Sequence, residues 1–140
     1  MSALLEYTVT ARRIDTSGSV AGAKSAEVIL DTSLAGRTDA LNPAELLLAS
    51  LAACMIKGAE RVSPMISFEL RGMSVRLHAV RADAPPSLKK IDYEIVVESD
   101  EPERRLELLH TNIRKFGSIS NTLASVVQLT GSIRRAENLA

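Results

Sequence analysis

The chain predicts an α+β fold, antiparallel strands around one long buried helix, on three observations. Segments with a two-residue apolar rhythm stand near both ends and in the middle of the 140-residue sequence. The stretch Leu46 to Ile56 is apolar at every position but Ser50. The order of elements, strands, helix, hairpin, two helices and a last strand, does not alternate as an α/β fold would.

Residues 4–14 place Leu5, Tyr7, Val9 and Ala11 on one side and Glu6, Thr8, Thr10 and Arg12 on the other, as a half-buried strand does. Thr16 to Ser19 reads as a turn, and extended chain through Val20 and Ala23 leads to Ala26–Leu30, giving an N-terminal antiparallel meander. Asp31 to Ala40 is a polar loop containing Arg37.

The long helix announces its own start. Asn42 can accept a backbone N–H of the first turn, Pro43 suits the first helical position, and Glu45 stands where a capping-box carboxylate reaches back. With no polar stripe between Leu46 and Ile56, the helix must be covered on nearly all sides. At about 30 Å long it needs more cover than one small chain offers. A second copy related by a two-fold axis supplies it, so the sequence predicts an intertwined homodimer. Cys54 lies near the end of the apolar run.

Beyond the helix, Phe68 and Leu70 keep one phase while Met73, Val75, Leu77 and Ala79 keep the other, which predicts a bulge near Arg71 and Gly72. Asp83 to Ser87 is a turn, and Ile91, Tyr93, Ile95 and Val97 alternate with charged neighbours to complete a long hairpin. An amphipathic helix is expected to begin near Ser99 or Asp100. It buries Leu106, Leu109 and Ile113, carries Arg114 and Lys115 in its last turn, and closes at Gly117. Ser118 or Ser120 then caps a short helix through Leu123 to Val127, and Gln128–Arg134 returns as a strand.

Composition narrows the function. Residues 1–140 fit a single domain that buries about two thirds of its unfolded surface. The 17 basic and 17 acidic residues cancel, which disfavours nucleic acid and anionic membrane as partners. Two histidines and one cysteine cannot make a zinc site, so no metal and no cofactor is expected. A single cysteine forms no intrachain disulfide and, with no signal pattern from Met1 onward, places the protein in a reducing cytoplasm. The apolar run is about half the roughly twenty residues that cross a bilayer.

The segment Asn42 to Cys54, followed by the hairpin and then Lys115 to Leu123 (Lys-Phe-Gly-Ser-Ile-Ser-Asn-Thr-Leu), resembles the OsmC/Ohr family of osmotically inducible and organic hydroperoxide resistance proteins. The resemblance spans most of the chain in order and spacing. It implies an intertwined α+β homodimer with sites at the subunit interface. It also implies a helix cysteine that attacks organic hydroperoxides, a second cysteine that resolves the sulfenic acid, and a dithiol reductant. An acid just after the proline and an arginine from a neighbouring segment hold the thiolate ready.

Carried over by residue, Cys54 is the attacking sulfur. Gly117 occupies the second cysteine's place, and Ala44 that of the acid, with Glu45 one residue on. Arg37 is a candidate for the arginine, together with Arg12 and Arg13. An ordinary thiol, near pKa 8.5, is only a few per cent ionised at neutral pH. Cys54 is too far along its helix for the dipole to help, and Lys57 is the best-placed cation on the helix itself.

The expectation is therefore a one-cysteine hydroperoxide reductase resolved by an external thiol or dithiol. The alternative is a non-catalytic dimer holding a small apolar or thiol-bearing ligand at the interface. His78 and His110 read as surface or network histidines, and Arg71, Arg76 and Arg81 as a solvated sheet face.

Overall fold

The computed structural model describes residues 4–137, which form two compact units, one up to Leu47 and one from Leu48. The first unit is an antiparallel meander of β1 (Thr10–Asp15), β2 (Gly18–Ala23) and β3 (Ala26–Leu30), with β2 central. The strand expected over residues 4–14 is shorter than its pattern. Leu5, Tyr7 and Val9 lie outside the sheet and are exposed, Tyr7 at 85%. Their alternation marks an apolar edge that the described residues of this unit leave uncovered.

Asp31 organises the loop after β3. Its carboxylate accepts from Ser33 Oγ (2.6 Å), Ser33 N (3.0 Å) and Arg37 N (2.8 Å). These bonds, the Ser33 hydroxyl first, hold the Asp31 carboxyl below the usual carboxylate range. Its N–H donates to Leu41 O, beside a parallel bridge between Leu30 and Leu41, so the loop arrives at the helix start already fixed.

Helix α1 (Pro43–Met65) opens on the capping box the sequence predicts. Glu45 N donates to Asn42 Oδ1 (2.8 Å) and Asn42 N donates to Glu45 Oε1 (2.9 Å). It ends with Ser67 in the left-handed region (φ 52°), Phe68 N donating to Ser63 O and Ser67 N to Pro64 O, a Schellman closure that turns Phe68 inward. Within this chain only Leu51, Met55, Gly58, Ala59, Val62 and Ser63 are buried, while Ala44, Leu47, Ala49, Ala53 and Ile56 face solvent.

The second unit packs the rest of α1 with α2 (Glu103–Phe116), α3 (Ser118–Ala124) and a sheet of β4 (Gly72–Asp83), β5 (Pro86–Glu98) and β6 (Gln128–Arg135), in that order. Two expectations change here. The bulge lies between Val80 and Arg81, not at Arg71–Gly72. Phe68 to Leu70 belong to the helix exit, so the phase slip was a change of element. And β6 runs parallel to β5, since α2 and α3 carry the chain back across the sheet before it pairs. Helix α2 starts later than Ser99, because Pro102 sits extended at its N-cap and Ser99 Oγ instead accepts from Glu101 N.

The core gathers Ile91, Tyr93, Ile95 and Val97 of β5, Leu106, Leu109 and Ile113 of α2, and the buried stripe of α1. Tyr93 lies so close over β6 that a Cβ at Gly131 would collide with its ring. Its hydroxyl is shared: Arg114 Nη1 donates to it (2.9 Å), and it faces His110 Nε2 at 2.6 Å. The other ring nitrogen of His110, Nδ1, stands 3.8 Å from Glu107 Oε2.

Burial, aided by the Arg114 charge and opposed by Glu107, lowers the His110 pKa below its ordinary value. The unfolded chain then holds more protons near and below pH about 6.5, so this contribution is complete above that pH and is lost as pH falls through the window beneath it. Wild-type melting temperature is expected to fall between about pH 7 and pH 5, and His110→Gln to flatten that slope. An unchanged slope in the variant would reject the assignment.

Candidate functional site

Cys54 lies on α1 at the edge of its buried stripe, three residues after Leu51 and four before Gly58, and is partly exposed. Gly58 brings α2 near: a Cβ there would just touch Ile113, at 3.7 Å. Four residues beyond Ile113, α2 ends at Gly117, whose backbone is extended (φ −82°, ψ 115°). Gly117 closes the helix as expected but without the left-handed turn of a usual glycine cap.

What marks position 117 is proximity. A Cβ at this position would stand 3.2 Å from Cys54 Sγ, 2.8 Å from Ser120 Oγ and 3.0 Å from Ile113 O. The position that the resemblance assigned to a second cysteine therefore faces Cys54 in space. Ser120, in the middle turn of α3, is wholly buried, and its hydroxyl has no hydrogen-bond partner among the described residues. Sequence reading treated Ser120 only as a possible cap. The missed signal was its spacing, three residues beyond Gly117, which puts both on the same side of α3.

The other predicted residues are occupied within their own unit. Glu45 completes the capping box at the start of α1. Arg37 forms a bidentate pair with Asp39, at 2.8 Å and 2.9 Å, and reaches Ser17 O. Arg12 and Arg13 stand exposed on β1, Arg13 at the rim of an open hollow of about 340 Å³ with Asp15, Ser19 and Thr32. Lys57 is exposed on α1. His78 is exposed and His110 belongs to the tyrosine network, as the sequence suggested. Among the described residues no cluster of His, Cys, Asp and Glu could hold a metal ion, and no helix is long and apolar enough to cross a membrane.

No curated protein matches the sequence significantly. Solved structures do share the fold. An OsmC-like protein from Mycoplasma pneumoniae superposes with a TM-score of 0.84 at 21% identity, over 94% of this chain and 96% of that one. An organic hydroperoxide resistance protein OsmC from Legionella pneumophila gives 0.71 at 18%, over 94% and 98%. The organic hydroperoxide resistance protein OhrB of Bacillus subtilis gives 0.68 at 19%, over 94% and 100%. At such identities these likenesses establish the architecture. Kinship rests on the sequence itself: the OsmC-like protein family model matches residues 36–131, from the loop before α1 to the middle of β6. The chain belongs to the OsmC-like protein family.

Proposed function

We propose that this protein reduces organic hydroperoxides in stress defence through Cys54 alone, its sulfenic acid being resolved by a thiol or dithiol from outside the chain. Family membership and hydroperoxide-resistance proteins among the structural neighbours support the stress-defence setting. The observation that carries the reading is the 3.2 Å separation between Cys54 Sγ and the Cβ position of residue 117. The scaffold of a cysteine pair is retained, with glycine where the resolving sulfur would be.

In the reaction the Cys54 thiolate attacks the distal peroxide oxygen. An S–O bond forms as the O–O bond breaks, sulfur loses two electrons, and the alkoxide leaves to take a proton as the alcohol. An incoming thiol then displaces the oxygen as water, and a second thiol frees Cys54 as the mixed disulfide becomes an external disulfide. Glu45 and Arg37 remain the candidates that the resemblance offers as acid and arginine, and each is engaged within its own unit, in the capping box and with Asp39. The reducing cytoplasm is the proposed setting, where such thiols are plentiful.

A homodimer is part of the proposal. The exposed apolar edge at Leu4, Leu5, Tyr7 and Val9 and the uncovered side of α1 at Ala44, Leu47 and Ala53 are surfaces that a second copy would bury. A second reading, a dimer that holds a small apolar or thiol-bearing ligand beside Cys54, draws on one observation: the glycine at 117.

Stoichiometric cumene hydroperoxide in the presence of a sulfenic-acid trap is expected to label Cys54, and turnover with a dithiol to drop to the uncatalysed rate in Cys54→Ser. An unlabelled Cys54, with a co-purified ligand still bound by the variant, would favour the second reading. Sedimentation equilibrium should give twice the chain mass, and a monomer in dilute solution would remove the dimer. Gly117→Cys should convert oxidation into an intrachain disulfide, since the bridged Cβ to far sulfur distance is about 3 Å. Two free thiols surviving oxidation in that variant would contradict the facing geometry.

A further inference from the structure

The last turn of α2 is held from two sides. Ile113 packs toward α1 at Gly58, while Arg114, the next residue, reaches β5, where its Nη1 donates to Tyr93 Oη (2.9 Å). One turn earlier, His110 Nε2 shares a hydrogen bond with the same hydroxyl at 2.6 Å, its ring edge-on to the tyrosine with centroids 5.6 Å apart. Tyr93 is itself buried, and its ring is seated on Gly131, its register partner on β6. Among the described residues no other side-chain hydrogen bond joins residues 110–116 to the sheet. The apolar packing of Leu109 and Ile113 draws α2 to the core without direction. Hydrogen bonds are directional, so one hydroxyl fixes two successive turns of the helix.

Three residues past Arg114 stands Gly117, buried, with its Cβ position 3.2 Å from Cys54 Sγ. The turn into α3 is tied to this tip, since Asn121 N donates to Gly117 O (2.9 Å) and Asn121 Nδ2 to Lys115 O (3.2 Å). We propose that Tyr93 is the positioning residue of the Cys54 site. Glycine at 117 permits the close approach to the sulfur, and the Tyr93 hydroxyl, through Arg114 and His110, holds it.

This deepens the peroxidase reading and rests on it for its consequence. A backbone held against the buried side of the sulfur leaves the exposed side of Cys54 as the route for the hydroperoxide and for the resolving thiol alike. Arg114 brings a charged donor to the hydroxyl of a buried residue, which makes this the stronger kind of hydrogen bond. Tyr93→Phe removes that hydroxyl and leaves the ring on Gly131, so the sheet keeps its packing while α2 loses its anchor.

The test uses Gly117→Cys as a ruler. The full chain carrying it is equilibrated with reduced and oxidised glutathione, and intact mass gives the effective concentration of the two thiols for each other. Adding Tyr93→Phe should lower that concentration about fivefold, the size of one hydrogen bond. Thr130→Val, which removes a 2.7 Å bond to Asp92 between the same two strands, should leave it unchanged. An unchanged value in Tyr93→Phe, or an equal fall in Thr130→Val, overturns the proposal. If Tyr93→Phe does not fold, Arg114→Met, which removes one donor and leaves the tyrosine, decides by the same criterion. If Gly117→Cys does not fold, the wild-type glycine is kept and alkylation of Cys54 by N-ethylmaleimide is timed. That rate should rise about fivefold in Tyr93→Phe and not in Thr130→Val, and equal rates overturn the proposal. The expected loss of proximity in a protein whose Cys54 takes no oxygen from cumene hydroperoxide supports the positioning role and overturns the peroxidase reading alone.

Discussion

The close approach of the end of α2 to Cys54 on α1 is the constraint that the second unit is built to satisfy. Leu51, Met55, Ala59 and Val62 bury one side of α1, and Leu106, Leu109 and Ile113 bury the facing side of α2. Apolar burial of this kind, about 25 cal/mol per Å², pulls the helices together without saying how near they come. Nearness is set by the two glycines. Gly58 allows ordinary contact with Ile113, and Gly117 allows a backbone to lie where any side chain would press on the Cys54 sulfur. Around that crossing, α3 and the parallel pairing of β6 with β5 follow as the route by which the chain returns from α2 to the sheet.

Much of this is written in local pattern. The capping box, the cleanly alternating β5 and the stripe of Leu106, Leu109 and Ile113 each obey one short-range rule, and the structure contains all three. The departures arise where a pattern had two causes. The slip after Leu70 was consistent with a bulge or with the end of a helix exit, and only the left-handed Ser67 and its Schellman bonds distinguish them. Pro102 was compatible with the first turn of α2 or with its boundary, and the position of Ser99 Oγ under Glu101 N places the boundary at Pro102. Parallel pairing of β6 could not be read from residues at all, because it depends on the direction in which two helices cross the sheet.

The site was legible in part for the same reason. Cys54 and position 117 were singled out by resemblance, and in space they face each other. Ser120 escaped notice because a serine in a short helix is commonplace, and only three-dimensional burial without a partner separates it from a cap. Tyr93, His110 and Arg114 form a second polar cluster that joins β5 to α2 through one aromatic hydroxyl. No sequence spacing announces that contact, which crosses two elements.

Glycine at 117 has consequences beyond the loss of a sulfur. With a second cysteine in this place, the sulfenic oxygen would be expelled as water as soon as the disulfide closed. With alanine, the Cβ would crowd the sulfur and the Ser120 hydroxyl alike. In the proposed chemistry, the residue that removes internal resolution therefore leaves the oxidised cysteine to wait for a thiol from outside the chain, while the same missing atom lets the end of α2 lie close to the sulfur.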